Sequence, residues 1–73
     1  MMTIWETTTD NGDDLGLYTT HDAAIGTACE FINDQTHWTE EERATAIEEI
    51  KKNDGYDGVV YVRERTLWDV SAL

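Results

Sequence analysis

Basic residues are scarce in this chain of 73 residues: two lysines and three arginines stand against sixteen acids. That shortage excludes a nucleic-acid footprint, which needs a basic stripe or patch, and it disfavours anionic membrane. Proline is absent, and no linker or low-complexity stretch interrupts the chain, so residues 1–73 read as one small domain. Cys29 is the lone cysteine, which rules out an intramolecular disulfide and removes any argument for secretion. It falls within the apolar pattern of a predicted helix and reads as a buried, inert thiol. No apolar run approaches the ~20 residues of a membrane span. The N-terminus shows no basic segment followed by an apolar core, so a cytoplasmic location is the expectation.

What is present is negative charge. The formal net charge is -11 and the pI about 4.2. The acids are spread along the chain instead of forming one tail, so a folded domain is expected to be negative on most sides. Apolar residues make up 40% of the sequence, with Trp5, Trp38 and Trp68 among them, a composition that acidic disordered tails lack. The chain therefore folds, with a margin of a few kcal/mol for a domain this small.

Local patterns suggest an order of β-β-α-α-β. Residues 3–9 (TIWETTT) are β-branched and aromatic, Asp10-Asn11-Gly12-Asp13-Asp14 is a hairpin turn, and residues 15–19 (LGLYT) return as a second strand. Strand alternation puts Leu15 and Leu17 on one face and Tyr18 on the other. Thr20 is the N-cap of a first helix, whose stripe is Ala24, Ile25, Ala28, Cys29, Phe31 and Ile32. Gly26 weakens this helix, and a close neighbour is one reason for it to be there. Thr39-Glu40-Glu41-Glu42 is a capping box opening a second helix, with Ala44, Ala46, Ile47 and Ile50 as its apolar face. Glu48 and Lys52 are spaced as an i, i+4 pair, and Asn53-Asp54-Gly55 stops the helix. Tyr56 to Trp68 reads as one long third strand. The fold class expected is α+β: a three-stranded antiparallel sheet with both helices on one face, the last strand beside the first, with pairing to the second strand as the alternative.

No catalytic or cofactor motif emerges. His21, Cys29 and His37 lack metal-ligand spacing. The Asp10–Asp14 loop falls short of a calcium loop, because its twelfth position is His21 where a bidentate glutamate belongs. No nucleophile triad, phosphate loop or nucleotide fingerprint occurs, so enzymatic activity, a metal and a cofactor are not expected. The candidate partner-binding residues are the acids Asp10, Asp13, Asp14, Glu40, Glu41 and Glu42, with Trp38 and Trp68. Arg63 and Arg65 read as neutralising neighbouring acids. The apolar end, Leu67, Trp68, Val70 and Leu73, either packs under Trp38 or extends the strand into pairing with a second copy.

The segment Leu15-Gly16-Leu17-Tyr18-Thr19-Thr20-His21-Asp22-Ala23-Ala24 resembles the strand-to-helix joint of small acidic proteins of phages and mobile elements. The similarity of layout covers roughly residues 3–32. It implies an origin in that pool, where small acidic proteins are often anti-CRISPR or anti-restriction inhibitors, some of them DNA mimics. The partner then expected is a basic, nucleic-acid-binding host protein, with no direct contact to nucleic acid. The alternative is a small adaptor or dimerisation module, its charge serving solubility or adaptation to high salt.

Overall fold

A computed structural model describes residues 2–67. In chain order the elements are β1 (Met2–Thr9), β2 (Asp14–Tyr18), α1 (His21–Asn33), α2 (Glu40–Asn53), β3 (Gly55–Tyr56) and β4 (Val60–Leu67). The α+β class is as expected, but the antiparallel sheet has four strands in the order β2-β1-β4-β3. The long third strand is broken at Asp57–Val59, where Gly58 adopts a φ of 81° and the Val59 amide donates to the Tyr56 carbonyl. The turn folds Gly55–Tyr56 back onto Val60–Tyr61 as a minimal edge strand. β4 pairs with β1 along its whole length, from Met2 opposite Leu67 to Thr9 opposite Val60.

The first hairpin closes through a longer turn than a two-residue Asn-Gly loop. The Gly12 amide donates to the Thr9 carbonyl, and the Thr9 amide to the Asp13 carbonyl. Only Gly12 has positive φ (88°), the pattern of a type I turn followed by a glycine bulge. A second irregularity between Thr7 and Thr8 opposes Thr7 to Gly16 but Thr8 to Asp14. That extra residue changes the facing of β2: Leu15 and Tyr18 both pack on the helix-side core, and Leu17 points away, 56% exposed. The expected pairing of Leu15 with Leu17 on one face is therefore corrected by the bulge.

Both helices cover the same face of the sheet. Thr20 caps α1 by accepting from the Ala23 amide, and α1 buries Ala24, Ala28 and Ile32. Small residues at the first two positions bring the helix close to β1, where the buried Thr7 hydroxyl donates to the Ala24 carbonyl at 3.0 Å. α2 opens with the full capping box. Its buried face is Ala46 and Ile50 with the half-buried Ile47; Ala44 is exposed. Arg43 takes the inward position one turn before Ala46 and Ile47, donating to the Gln35 and Trp38 carbonyls at 3.1 and 2.6 Å. The remaining core comes from Val60 and Val62 of β4, flanked by Trp5, Tyr18, Phe31, Trp38 and Tyr56. Gly26 is exposed, and a Cβ there would touch nothing within 4 Å, so no neighbour requires it. Glu48 and Lys52 form no ion pair among the described residues; Asn53 bonds Glu49 instead, at 2.6 Å.

Candidate functional site

The topology gathers carboxylates that are far apart in sequence. The β1–β2 turn meets the β3–β4 turn, with the Asp10 amide donating to the Val59 carbonyl at 2.8 Å. The same two turns and the end of α1 line a surface groove of about 200 Å³ between Asp10, Asn11, Asp13, Phe31, Gln35 and Gly58. Gln35 in turn accepts from the Trp38 amide and from Arg43, tying the α1–α2 connection to this end. α2 starts directly after that connection, and Glu41 and Glu42 flank Tyr56 of β3. One end of the molecule thus collects Asp10, Asp13, Asp14, Asp34, Asp57, Glu40, Glu41 and Glu42, half of the sixteen acids. All eight residues are exposed; Arg43 at this end is committed to backbone carbonyls, and Arg63 shares a groove with Asp10, Gly12 and Tyr61.

Six of the candidate partner-binding residues, Asp10, Asp13, Asp14, Glu40, Glu41 and Glu42, belong to this acidic end. Sequence reasoning missed Asp34 and Asp57, which join it only because the α1 C-cap and the β3–β4 turn come to the same place. The Asp57-Gly58 dipeptide is a turn signal that could have found the second of them. Trp38 is half-buried, packed on the core, and edge-on to Tyr56 at 6.2 Å between centroids. It supports the acidic end from beneath as a lid. Trp68 lies outside the described residues, as do Asp69, Val70 and Leu73.

The opposite face of the sheet has a different character. Strand alternation puts Met2, Ile4, Glu6 and Thr8 of β1, Leu17 of β2, and Tyr61, Arg63 and Arg65 of β4 away from the helices. Arg65 contacts both Glu6 carboxylate oxygens at 3.2 and 3.3 Å, the neutralising role expected of it. Arg63 pairs with no acid among the described residues; its guanidinium stacks 5.5 Å from the centroid of Tyr61. Asp14 stands opposite Thr8 on this face and Asp10 accepts from the Tyr61 hydroxyl at its rim, so the two arginines lie among three acids, Glu6, Asp10 and Asp14.

Glu42 has its carboxyl held below the ordinary glutamate range. The main cause is the hydrogen bond from the Thr39 amide, followed by the Thr39 side chain. A depressed folded value stabilises above the unfolded range, about 4.3, and that contribution disappears as pH falls through the folded value. The Glu42→Gln variant keeps an acceptor for the Thr39 amide but cannot ionise. Its stability relative to wild type is expected to be lower at neutral pH and to converge on wild type below the glutamate range, in urea melts repeated from pH 7 to pH 3. A constant difference across that range would refute the role of the Glu42 charge.

His21 Nε2 lies 2.7 Å from Asp54 Oδ1 and its ring sits edge-on to Trp5 at 4.5 Å, a staple joining the start of α1 to the left-handed C-cap of α2. No nucleophilic side chain among the described residues bonds it. Cys29 is half-buried, and burial pushes its thiol up against the weaker opposing pull of Lys51, so it is protonated at neutral pH. Among the described residues no three His, Cys, Asp or Glu side chains are grouped to hold a metal, and no helix is long and apolar enough to cross a membrane. No protein-family model, curated protein or solved structure matches the chain.

Proposed function

We propose that this is a non-enzymatic acidic binding protein whose carboxylate-rich end occupies a basic, nucleic-acid-binding surface of a partner protein. The observation that carries this reading is the convergence of Asp10, Asp13 and Asp14 with Glu40, Glu41 and Glu42 on one end of a rigid fold. Carboxylates fixed at the ends of capped helices and tight turns present charge at low entropic cost, as a phosphate backbone does. Such a surface steers association with a cationic groove and excludes the nucleic acid that would otherwise fill it. Together with the resemblance of its strand-to-helix joint, this makes an inhibitor of a host defence system, of the anti-CRISPR or anti-restriction kind and acting in the host cytoplasm, the specific reading. The adaptor reading draws on a different observation, the exposed Met2 and Leu17 on the open sheet face.

The test is a triple reversal, Glu40→Lys, Glu41→Lys and Asp13→Lys, which spares Thr39 and Glu42 and so leaves the capping box intact. Pull-down from a bacterial lysate at low salt is expected to enrich basic nucleic-acid-binding proteins with the wild type and to lose them with the variant. Binding should fall steeply with added salt and compete with nucleic acid. Partners retained by the variant, or insensitive to salt, would overturn the reading.

A further inference from the structure

We infer that Asn11 is a site of spontaneous deamidation, a slow one-way conversion that adds a carboxylate to the acidic end, and that the Thr9–Gly12 turn bond holds back its rate. The chain has three asparagines, and only Asn11 is followed by glycine. The reaction needs the following main-chain nitrogen to reach the side-chain carbonyl carbon, and glycine opposes that approach least because it has no Cβ. Asn11 and Gly12 are both exposed at the tip of the β1–β2 turn. A Cβ built on Gly12 would meet nothing within 4 Å, so the surroundings leave room for a ring to close. The other two asparagines are the last residues of helices. Asn33 precedes Asp34, whose amide is bonded to the Glu30 carbonyl at 3.0 Å, and Asn53 precedes Asp54, whose amide is bonded to the Ile50 carbonyl at 2.9 Å. Both following amides are held in a helix ladder, on residues that carry a Cβ, and the Asn53 side chain is also tied to Glu49.

The step balances with water as its only co-reactant. The Gly12 main-chain nitrogen, once hydroxide has taken its proton, bonds to the Asn11 side-chain carbonyl carbon. The bond from that carbon to the amide nitrogen breaks, ammonia leaves with a proton from solvent, and a succinimide ring remains. Water then opens the ring at one carbonyl to give aspartate, or at the other to give isoaspartate. In the folded chain the Gly12 amide donates to the Thr9 carbonyl at 2.9 Å, so the attacking nitrogen is engaged until the turn opens. Exposed turns open locally at far lower cost than the core, which makes the folded chain slow to react without making it inert. The aspartyl product sets a further carboxylate beside Asp10 and Asp13 in the groove with Phe31 and Gln35. The isoaspartyl product also lengthens the main chain by one atom inside the turn, between the Thr9 carbonyl and the amide that bonds it. This inference does not depend on the proposed function, since the charge of this end changes whatever binds there.

Ageing of the full chain in neutral and mildly alkaline buffer tests it, with peptide mapping by mass spectrometry at intervals. Asn11 is expected to gain one mass unit, as aspartyl and isoaspartyl forms, at least about tenfold faster than Asn33 or Asn53. The rate should rise with pH, because the Gly12 nitrogen must lose its proton to attack. In urea, where the turn bond is gone, Asn11 should convert several-fold faster than in the folded chain. The Asn11→Gln variant, whose ring closure needs one more atom, should accumulate no acidic form over the same period, and an unchanged circular dichroism melt verifies that it folds. Conversion at Asn11 no faster than at the two helix-end asparagines, a rate indifferent to urea, or an acidic form that accumulates equally in Asn11→Gln would overturn the inference.

Discussion

Gly16→Ala is expected to cost about 2–3 kcal/mol, whereas Gly26→Ala should stabilise the fold by about 0.5–1 kcal/mol, although the chemical change is the same. At Gly16 the backbone has a φ of 149°, and a Cβ would stand 2.5 Å from Tyr18 Oη and 2.8 Å from its Cζ. The ring of Tyr18 folds back over the glycine and leans on the core, its hydroxyl pointing to the Leu15 carbonyl at 3.5 Å. Adding the methyl group strains the backbone and displaces that ring, loosening the bulge that sends Leu15 inward and Leu17 outward. Gly26 sits in a helix with open space around it, so alanine there mainly reduces the entropy of the unfolded chain. Urea denaturation of both variants, and of Gly16→Ala combined with Tyr18→Ala, measures the two contributions. If Gly16→Ala is neutral in either background, the bulge geometry is wrong.

The contrast between these glycines also shows where sequence reading stops. Helix starts were legible because capping is local: Thr20 with Ala23, and Thr39 with Glu42, satisfy each other within four residues. The α1 stripe was legible for the same reason. What the pattern could not reveal depended on partners. Val59-Val60-Tyr61-Val62 has strand propensity throughout, and only the positive φ of Gly58 and the pairing of Tyr56 with Val60 split it into β3 and β4. Ala44 was misassigned to the apolar face because alanine fits either side of a helix, and the long stem of Arg43 reaches inward where carbonyls wait for its guanidinium. The alternation Val60, Val62 against Tyr61, Arg63, Arg65 did carry the two faces of β4, and it reads correctly once the turn is placed.

The candidate site was half visible in the same sense. Asp10–Asp14 and Glu40–Glu42 are conspicuous as acidic clusters, but their meeting is a tertiary fact. It rests on the Asp10–Val59 backbone bond and on the groove that sets Asp10 and Asp13 beside Gln35, contacts which no local spacing announces. Composition predicts negative charge on most sides, and the fold adds to it the gathering of eight acids at one end.

Ile50→Ala should be the most damaging single truncation in the core, costing about 2–5 kcal/mol. Ile50 is fully buried and packs in the cluster that joins α2 to Val60 and Val62 of β4 and to Ala28 and Ile32 of α1. α1 meets the sheet through two alanines, and α2 through Ala46, so the interior has few large side chains, and Ile32 and Ile50 are its largest fully enclosed apolar ones. A domain of this length has roughly 4–11 kcal/mol in total, on the usual scale per residue, so the truncation removes a large share of it. The expected fall in melting temperature is at least about 8 °C, given the ~4–8 °C per kcal/mol typical of domains of this size. Ile50→Val should lose only about 0.5–1.5 kcal/mol, and Ile47→Ala, half-buried one turn earlier, less than Ile50→Ala. The order of the three variants is the measurement that matters. If Ile47→Ala proves costlier than Ile50→Ala, α2 is rotated about its axis, and with it the placement of Arg43 and of the glutamates that α2 contributes to the acidic end.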